Sequence, residues 1–155
     1  MSDEKRANII AALQKAYMME IETIINYLAN ATSLDGVRAE EIKKSLPADV
    51  TGELGHAQRI ANRLKTIGGK IPGSKDIRFD QDSLQPPADT TDVVTVIKGV
   101  IEAEDCAVKH YNHLIKLSDG VDYVTQDLCV QILGDEENHR REFMGFLKEY
   151  EKKSS

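Results

Sequence analysis

Residues 131–139 read Gln-Ile-Leu-Gly-Asp-Glu-Glu-Asn-His and place Glu136 three positions before His139. Residues 53–56, Glu-Leu-Gly-His, repeat this Glu-x-x-His spacing much earlier in the chain. Side chains three apart lie on one face of a helix, so each motif can present a carboxylate and an imidazole together. A chain of this composition would contain about 0.3 such pairs by chance, so two of them indicate a shared site.

The apolar residues around these motifs follow the 3.6-residue period of an amphipathic helix, and no stretch is typical of a strand. We predict four helices, over about residues 3–33, 37–67, 91–117 and 121–150. Pro47 lies inside the second of them and predicts either a kink or a second helix start after Ser45.

The connections between the predicted helices indicate their arrangement. Short turns join the first helix to the second and the third to the fourth, which predicts two antiparallel hairpins. About twenty residues, 69–90, lie between the hairpins, and a segment of that length can span the roughly 42 Å of a 28-residue helix. We therefore predict an all-α, four-helix bundle of two hairpins joined by a long crossover loop, forming a single domain over residues 1–155.

Each predicted helix carries a carboxylate near the middle of its apolar stripe. Glu20 precedes Glu53 by thirty-three residues, and Glu104 precedes Glu136 by thirty-two, so the two hairpins repeat one pattern. The repeat predicts that six side chains meet at matching heights in the bundle: Glu20, Glu53, His56, Glu104, Glu136 and His139.

Four carboxylates inside an apolar bundle need compensating positive charge, because desolvation costs several kcal/mol for each ion. The stripes do not supply a matching set of four Lys or Arg side chains. Two divalent cations would balance the charge, and mixed carboxylate and imidazole ligands suit iron or manganese. The pattern therefore predicts a di-metal centre built within one subunit.

Three segments, residues 20–27, 53–60 and 131–139, resemble the bacterioferritin branch of the ferritin-like superfamily. The similarity extends from about Ile9 to Leu147. The resemblance implies that Tyr27 stands beside the metal ions as a catalytic residue. It also implies the metal ligands: Glu20 and Glu104 as terminal ligands, Glu53 and Glu136 as bridging ligands, and His56 and His139 as one imidazole for each ion.

The same resemblance implies an iron-storage and detoxification protein. Such a protein is a ferroxidase that oxidises Fe(II) with O2 or H2O2 at two irons per subunit, where Mn or Zn can substitute. The ferric mineral is then stored inside a hollow homo-oligomer. The sequence leaves the oxidant open, and an alternative remains in which the metal centre serves a peroxidase or a manganese-catalase-like oxidoreductase without storage. A metal-free helical interaction protein is the non-enzymatic alternative.

Two departures from bacterioferritins alter these expectations. Leu54 stands where bacterioferritins place a haem-ligating Met, so we expect no haem. Only sixteen residues follow His139, which leaves no room for the short fifth helix of the 24-subunit cages. This favours a cage of 12 subunits, as in the Dps-like proteins, over one of 24, and the sequence leaves the choice between them open.

Composition excludes several other classes. A formal net charge of −6 argues against a nucleic-acid partner, because such binding depends on neutralising phosphates. No apolar run approaches the ~18 residues of a membrane span, and the polar N-terminus is unlike a signal peptide. We therefore expect a cytoplasmic protein.

The cysteines and the remaining histidines have no place in the predicted centre. Some Dps-like ferritins carry a thiol pair near the metal site, which invites comparison with Cys106 and Cys129. At 100° per residue Cys129 faces inward whereas Cys106 faces nearly opposite to Glu104, so we expect two free thiols rather than a disulfide. His110 and His113 share the outward face of the third helix and are expected at the surface or at a subunit interface.

Two glycines flank the carboxylate of the first motif. Gly52 directly precedes Glu53 and Gly55 follows it by two residues in a predicted helix. Each glycine there lowers the stability of the helix by up to about 1 kcal/mol relative to Ala. Our hypothesis is that they permit the close approach of another backbone near the site.

Overall fold

The structure, a computed structural model, describes residues 1–152 and is helical apart from its connections. Within these residues no helix is long and apolar enough to cross a membrane. The predicted all-α bundle with a long loop between its second and third helices is confirmed. Its elements are α1 (Asp3–Ser33), α2 (Glu40–Thr66), α3 (Val93–Ser118) and α4 (Tyr123–Tyr150), with a short 3-10 helix (Val37–Ala39) before α2.

The helices α1, α3 and α4 begin at polar caps, whereas α2 follows Ala39 without one. The Asp92 carboxylate accepts a hydrogen bond from the Thr95 backbone N–H, and Asp122 does the same for Thr125, so α3 and α4 each start one residue after an aspartate. The prediction of a second start after Ser45 is wrong, because α2 runs without interruption through Pro47.

The polar residues of the two motifs lie between two apolar clusters. α1 packs along α2, α3 packs along α4, and α1 also contacts α3. Toward one end of the bundle the core includes Tyr27, Leu34, Ile42, Leu46, Ile97 and Phe143. Toward the other end it includes Ile9, Leu13, Ile60, Leu64, Leu114 and Ile132. The layer between the clusters is thereby enclosed by apolar packing along the bundle axis.

The crossover loop is anchored along α1 and α3. The Glu22 carboxylate on α1 accepts hydrogen bonds from the backbone N–H groups of Asp80 and Gln81, at 3.2 and 2.9 Å. The Asn30 side-chain amide donates to the Leu84 carbonyl at 2.7 Å. Leu84 is only 3% exposed, so this long segment is held by both backbone hydrogen bonds and side-chain burial.

An ion pair ties α2 to the start of α4. Arg63 donates to the Asp122 carboxylate at 2.7 Å and to the Thr125 hydroxyl at 2.9 Å. Burial opposes the charge on Asp122, but hydrogen bonds from Arg63 and Thr125 outweigh it and lower the Asp122 pKa. A lowered pKa in the folded state means that the ionised carboxylate stabilises the fold at neutral pH and loses that effect in acid.

We expect Asp122→Ala to lower the free energy of unfolding by about 2 kcal/mol at neutral pH, because both the helix cap and the ion pair are lost. The difference in stability between wild type and Asp122→Ala should shrink below about pH 4, as the pH falls through the lowered pKa of Asp122 and its carboxylate becomes protonated. Urea denaturation of both proteins at neutral pH and below pH 4 measures this difference in the free energy of unfolding. The exposed Asp127→Ala is the control, and an equal cost of Asp122→Ala at both pH values would contradict the explanation.

Candidate metal centre

The polar layer brings six predicted side chains into two overlapping groups. In one group, single ligand atoms from Glu20, Glu53, His56 and Glu136 all lie within 4.8 Å of one another. In the other, atoms from Glu53, Glu104, Glu136 and His139 satisfy the same condition. Glu53 and Glu136 therefore belong to both groups, and every helix of the bundle contributes a carboxylate.

Each of the six side chains carries one buried polar atom that has no hydrogen-bond partner of acceptable geometry. Such atoms are rare in folded proteins because an unsatisfied buried polar group is costly. Carboxylate oxygens and imidazole nitrogens are the donors that suit iron and manganese, so the set fits two divalent cations. The six atoms are Glu20 Oε2, Glu53 Oε1, His56 Nδ1, Glu104 Oε2, Glu136 Oε1 and His139 Nδ1.

The carboxylates of the layer do not share the same protonation behaviour. Burial raises the pKa of Glu20 well above its usual value, and the nearby Glu53 raises it further. Burial likewise raises the pKa of Glu104, with an added contribution from Glu136. Burial alone would also raise the pKa of Glu53, but its close contacts with Glu20 and the two histidines lower it instead.

The two imidazoles respond to these carboxylates. Burial disfavours a charged His56, yet its contacts with Glu136, Glu20 and Glu53 raise its pKa above the usual range. The contact with Glu53 raises the pKa of His139 to about 9. Protons thus neutralise part of the layer when no cation is bound, and cation binding must displace them.

Aspartates support the outer nitrogen of each histidine, and the two supports differ. His56 Nε2 lies 2.8 Å from Asp135, whereas His139 Nε2 lies 3.8 Å from Asp49. Gly52 occupies the position in α2 that corresponds to Asp135 in α4, and Asp49 stands one turn earlier. The His139 side chain is also the more exposed of the two, at 18% against 5%. Neither aspartate was predicted from the sequence, although Asp135 directly precedes Glu136.

Two buried tyrosines hold the glutamates of α1 and α3. The Tyr27 hydroxyl of α1 donates to Glu104 Oε1 at 2.9 Å. The Tyr111 hydroxyl of α3 donates to Glu20 Oε1 in the same way. Each bond occupies one carboxylate oxygen and leaves the other oxygen of the glutamate free of a partner. In the sequence repeat, Tyr111 follows Glu104 by the same seven residues that separate Tyr27 from Glu20, but no role at the site was predicted for it.

The remaining candidates lie outside the layer. Cys106 is exposed and Cys129 is buried, and both are free thiols. His110 places Nε2 2.8 Å from the Ala12 carbonyl of α1 and does not approach the layer's ligand groups.

The two glycines that flank Glu53 do not make the close approach that we expected. A Cβ atom on Gly52 or Gly55 would meet no atom of the described chain within 4 Å, because both residues face outward from α2. The hypothesis that they admit a neighbouring backbone is therefore wrong within this subunit.

Comparison with known families and proteins agrees with this architecture. Residues 10–153 match the ferritin family, described as "Ferritin-like domain". The chain is 25% identical over 138 residues to a bacterioferritin of Desulfovibrio desulfuricans, covering 88% of this chain and 73% of that protein. It is 27% identical over 143 residues to a "DNA protection during starvation protein" of Pyrococcus furiosus, covering 90% and 76%.

Solved structures show the same fold at lower identity. A ferritin-like di-iron-carboxylate protein of Bacillus anthracis superposes with a TM-score of 0.82 at 23% identity, covering 95% of this chain and 99% of that one. A dodecameric thioferritin of Bacteroides fragilis superposes with a TM-score of 0.83 at 22% identity, covering 94% and 87%.

Proposed function

From the premise that this chain belongs to the ferritin family, we propose that it stores and detoxifies iron and acts as a ferroxidase. The observation that carries the proposal is the convergence of four glutamates and two histidines, each with an unpartnered buried atom. Iron bound by this set would supply redox chemistry in which two Fe(II) ions give one electron each to O2 or H2O2. The protein's contribution is to hold the ligands in place and to shield the centre from bulk water.

We assign ligand roles from membership of the two groups. Glu53 and Glu136 bridge, because each belongs to both groups. One metal position is completed by Glu20 and His56, and the other by Glu104 and His139. Tyr27 orients Glu104 from beside the centre, and Tyr111 does the same for Glu20. Iron is the proposed metal, with Mn or Zn able to take its place because the donors are the same.

The proposed assembly is a hollow homo-oligomer of 12 chains in the cytoplasm. The Bacteroides fragilis relative, which shares the fold, is described as dodecameric. The two free thiols are consistent with a reducing compartment.

The test is the mass of the particle and its iron content after aerobic addition of excess Fe(II). We expect a particle with the mass of twelve 17.3 kDa chains, holding many more than two irons per chain. A mass near that of one chain would contradict storage. Iron uptake that stops at two per chain would also contradict it and would favour the peroxidase or manganese-catalase-like alternative.

A further inference from the structure

A surface cavity of about 570 Å³ lies between α1, α3 and the crossover loop. Four carboxylates line it, from Glu22, Asp80, Asp82 and Glu102, against the two ammonium groups of Lys15 and Lys109. The lining therefore carries an excess of negative charge, which raises the local concentration of cations.

A second, much smaller cavity of about 10 Å³ adjoins the metal centre. Its walls include the four glutamates of the centre, and each of these glutamates has one oxygen without a hydrogen-bond partner. Met19 and Gln81 line both cavities. These two side chains consequently stand between the surface cavity and the carboxylates of the centre.

Gln81 lies in the crossover loop and is held there by hydrogen bonds of its backbone and its side chain. Its backbone N–H donates to Glu22, its side-chain oxygen accepts from Asn26 at 2.6 Å, and its side-chain nitrogen lies 3.5 Å from the Thr23 hydroxyl. Met19 offers no hydrogen bond and is a flexible side chain that can change rotamer at small cost. The barrier between the cavities is thus made of side chains that can move without disturbing a helix.

We propose that this surface cavity is an entrance through which divalent cations reach the metal centre, with Gln81 and Met19 as its gate. The inference rests on the proposed metal centre. The small cavity has room for about one water-sized group, so a fully hydrated ion cannot pass. The ion exchanges its waters for protein oxygens on the way, first those of Asp80 and Asp82, then the Thr23 hydroxyl, and finally Glu20 and Glu104.

The first test is the rate at which Co(II) binds to the metal-free protein, followed by stopped-flow absorbance. Gln81→Ala removes the gate side chain and should raise the rate about tenfold, a barrier change of about 1.4 kcal/mol. Two ions per chain should still bind with unchanged affinity. Gln58→Ala is the control, since Gln58 is an exposed glutamine on α2 that lines neither cavity and makes no contact with Gln81. A wild-type rate in Gln81→Ala would overturn the proposal.

The second test blocks the surface cavity or removes part of its negative charge. A maleimide adduct on Cys106, which is exposed on the cavity wall, should slow Co(II) binding, and the same reagent should leave Cys106→Ser unaffected. The double variant Asp80→Asn, Asp82→Asn should also slow binding and weaken its dependence on salt. If two Co(II) ions bind at the same rate in all these proteins, the entrance is wrong. If wild-type protein binds no Co(II), the metal centre itself is wrong.

Discussion

Glu53→Gln should lower the initial rate of aerobic Fe(II) oxidation at least about 100-fold at two irons per chain, since loss even of an outer-shell partner costs 10–100-fold. Glu53 is one of the two carboxylates that belong to both ligand groups, so its loss affects both proposed metal positions at once. A neutral amide keeps the size of the side chain but cannot bridge two cations as a carboxylate does. The expected effect is therefore larger than that of removing a ligand from one position.

Glu137→Gln is the matched control for this prediction, because Glu137 is an exposed carboxylate on α4 beside the centre's Glu136. It should oxidise Fe(II) at the wild-type rate. Zn(II) gives a second readout that does not depend on activity. At a free metal concentration of 100 Kd, wild-type protein should gain about 2.7 kcal/mol of stability, and Glu53→Gln should lose most of this gain. Wild-type oxidation together with a full Zn(II) response in Glu53→Gln would contradict the assigned role.

Gly99→Ala should destabilise the fold by about 3 kcal/mol, because it forces the crossover loop away from α3. A Cβ atom on Gly99 would lie 2.9 Å from Leu84 Cα and 3.0 Å from its backbone nitrogen. These backbone atoms cannot rotate aside as the end of a flexible side chain can. Leu84 is also constrained by a positive φ of 62° and by its hydrogen bond to Asn30.

Gly134→Ala provides the contrast within α4. A Cβ atom there would meet nothing within 4 Å, so the variant should gain up to about 1 kcal/mol from improved helix propensity. Urea denaturation of the metal-free proteins measures both changes. Equal stability of Gly99→Ala and Gly134→Ala would show that the loop does not lie as closely on α3 as the structure has it.

The helices were predictable because their signals are local. Apolar periodicity predicted the four helices and placed the starts of α3 and α4 at about residues 91 and 121, within two residues of the observed Val93 and Tyr123. The continuity of α2 through Pro47 was not predictable from a local rule. The cost of an interior proline is offset by the burial of Ile42 and Leu46. These two residues lie one helical turn apart, just before Pro47, and neither is exposed.

The metal-centre side chains could be found because their spacing is repeated along the chain. The same repeat includes Tyr111, whose offset from Glu104 equals that of Tyr27 from Glu20, although only Tyr27 was predicted to stand beside the metal ions. The contact of Asp49 with His139 joins two helices, and no spacing within either one encodes it. The glycine that a neighbouring backbone approaches is Gly99 rather than Gly52, because the path of the crossover loop is set by tertiary packing.

The unequal contacts of the two histidines with their aspartates make the two halves of the candidate metal centre different. His56 is buttressed closely and shielded, whereas His139 has a longer contact with its aspartate and a partly open flank. Under the proposed assignment, an ion beside His56 would be held more firmly than an ion beside His139. The two hairpins repeat one sequence pattern, but under this assignment their two metal positions would exchange metal at different rates.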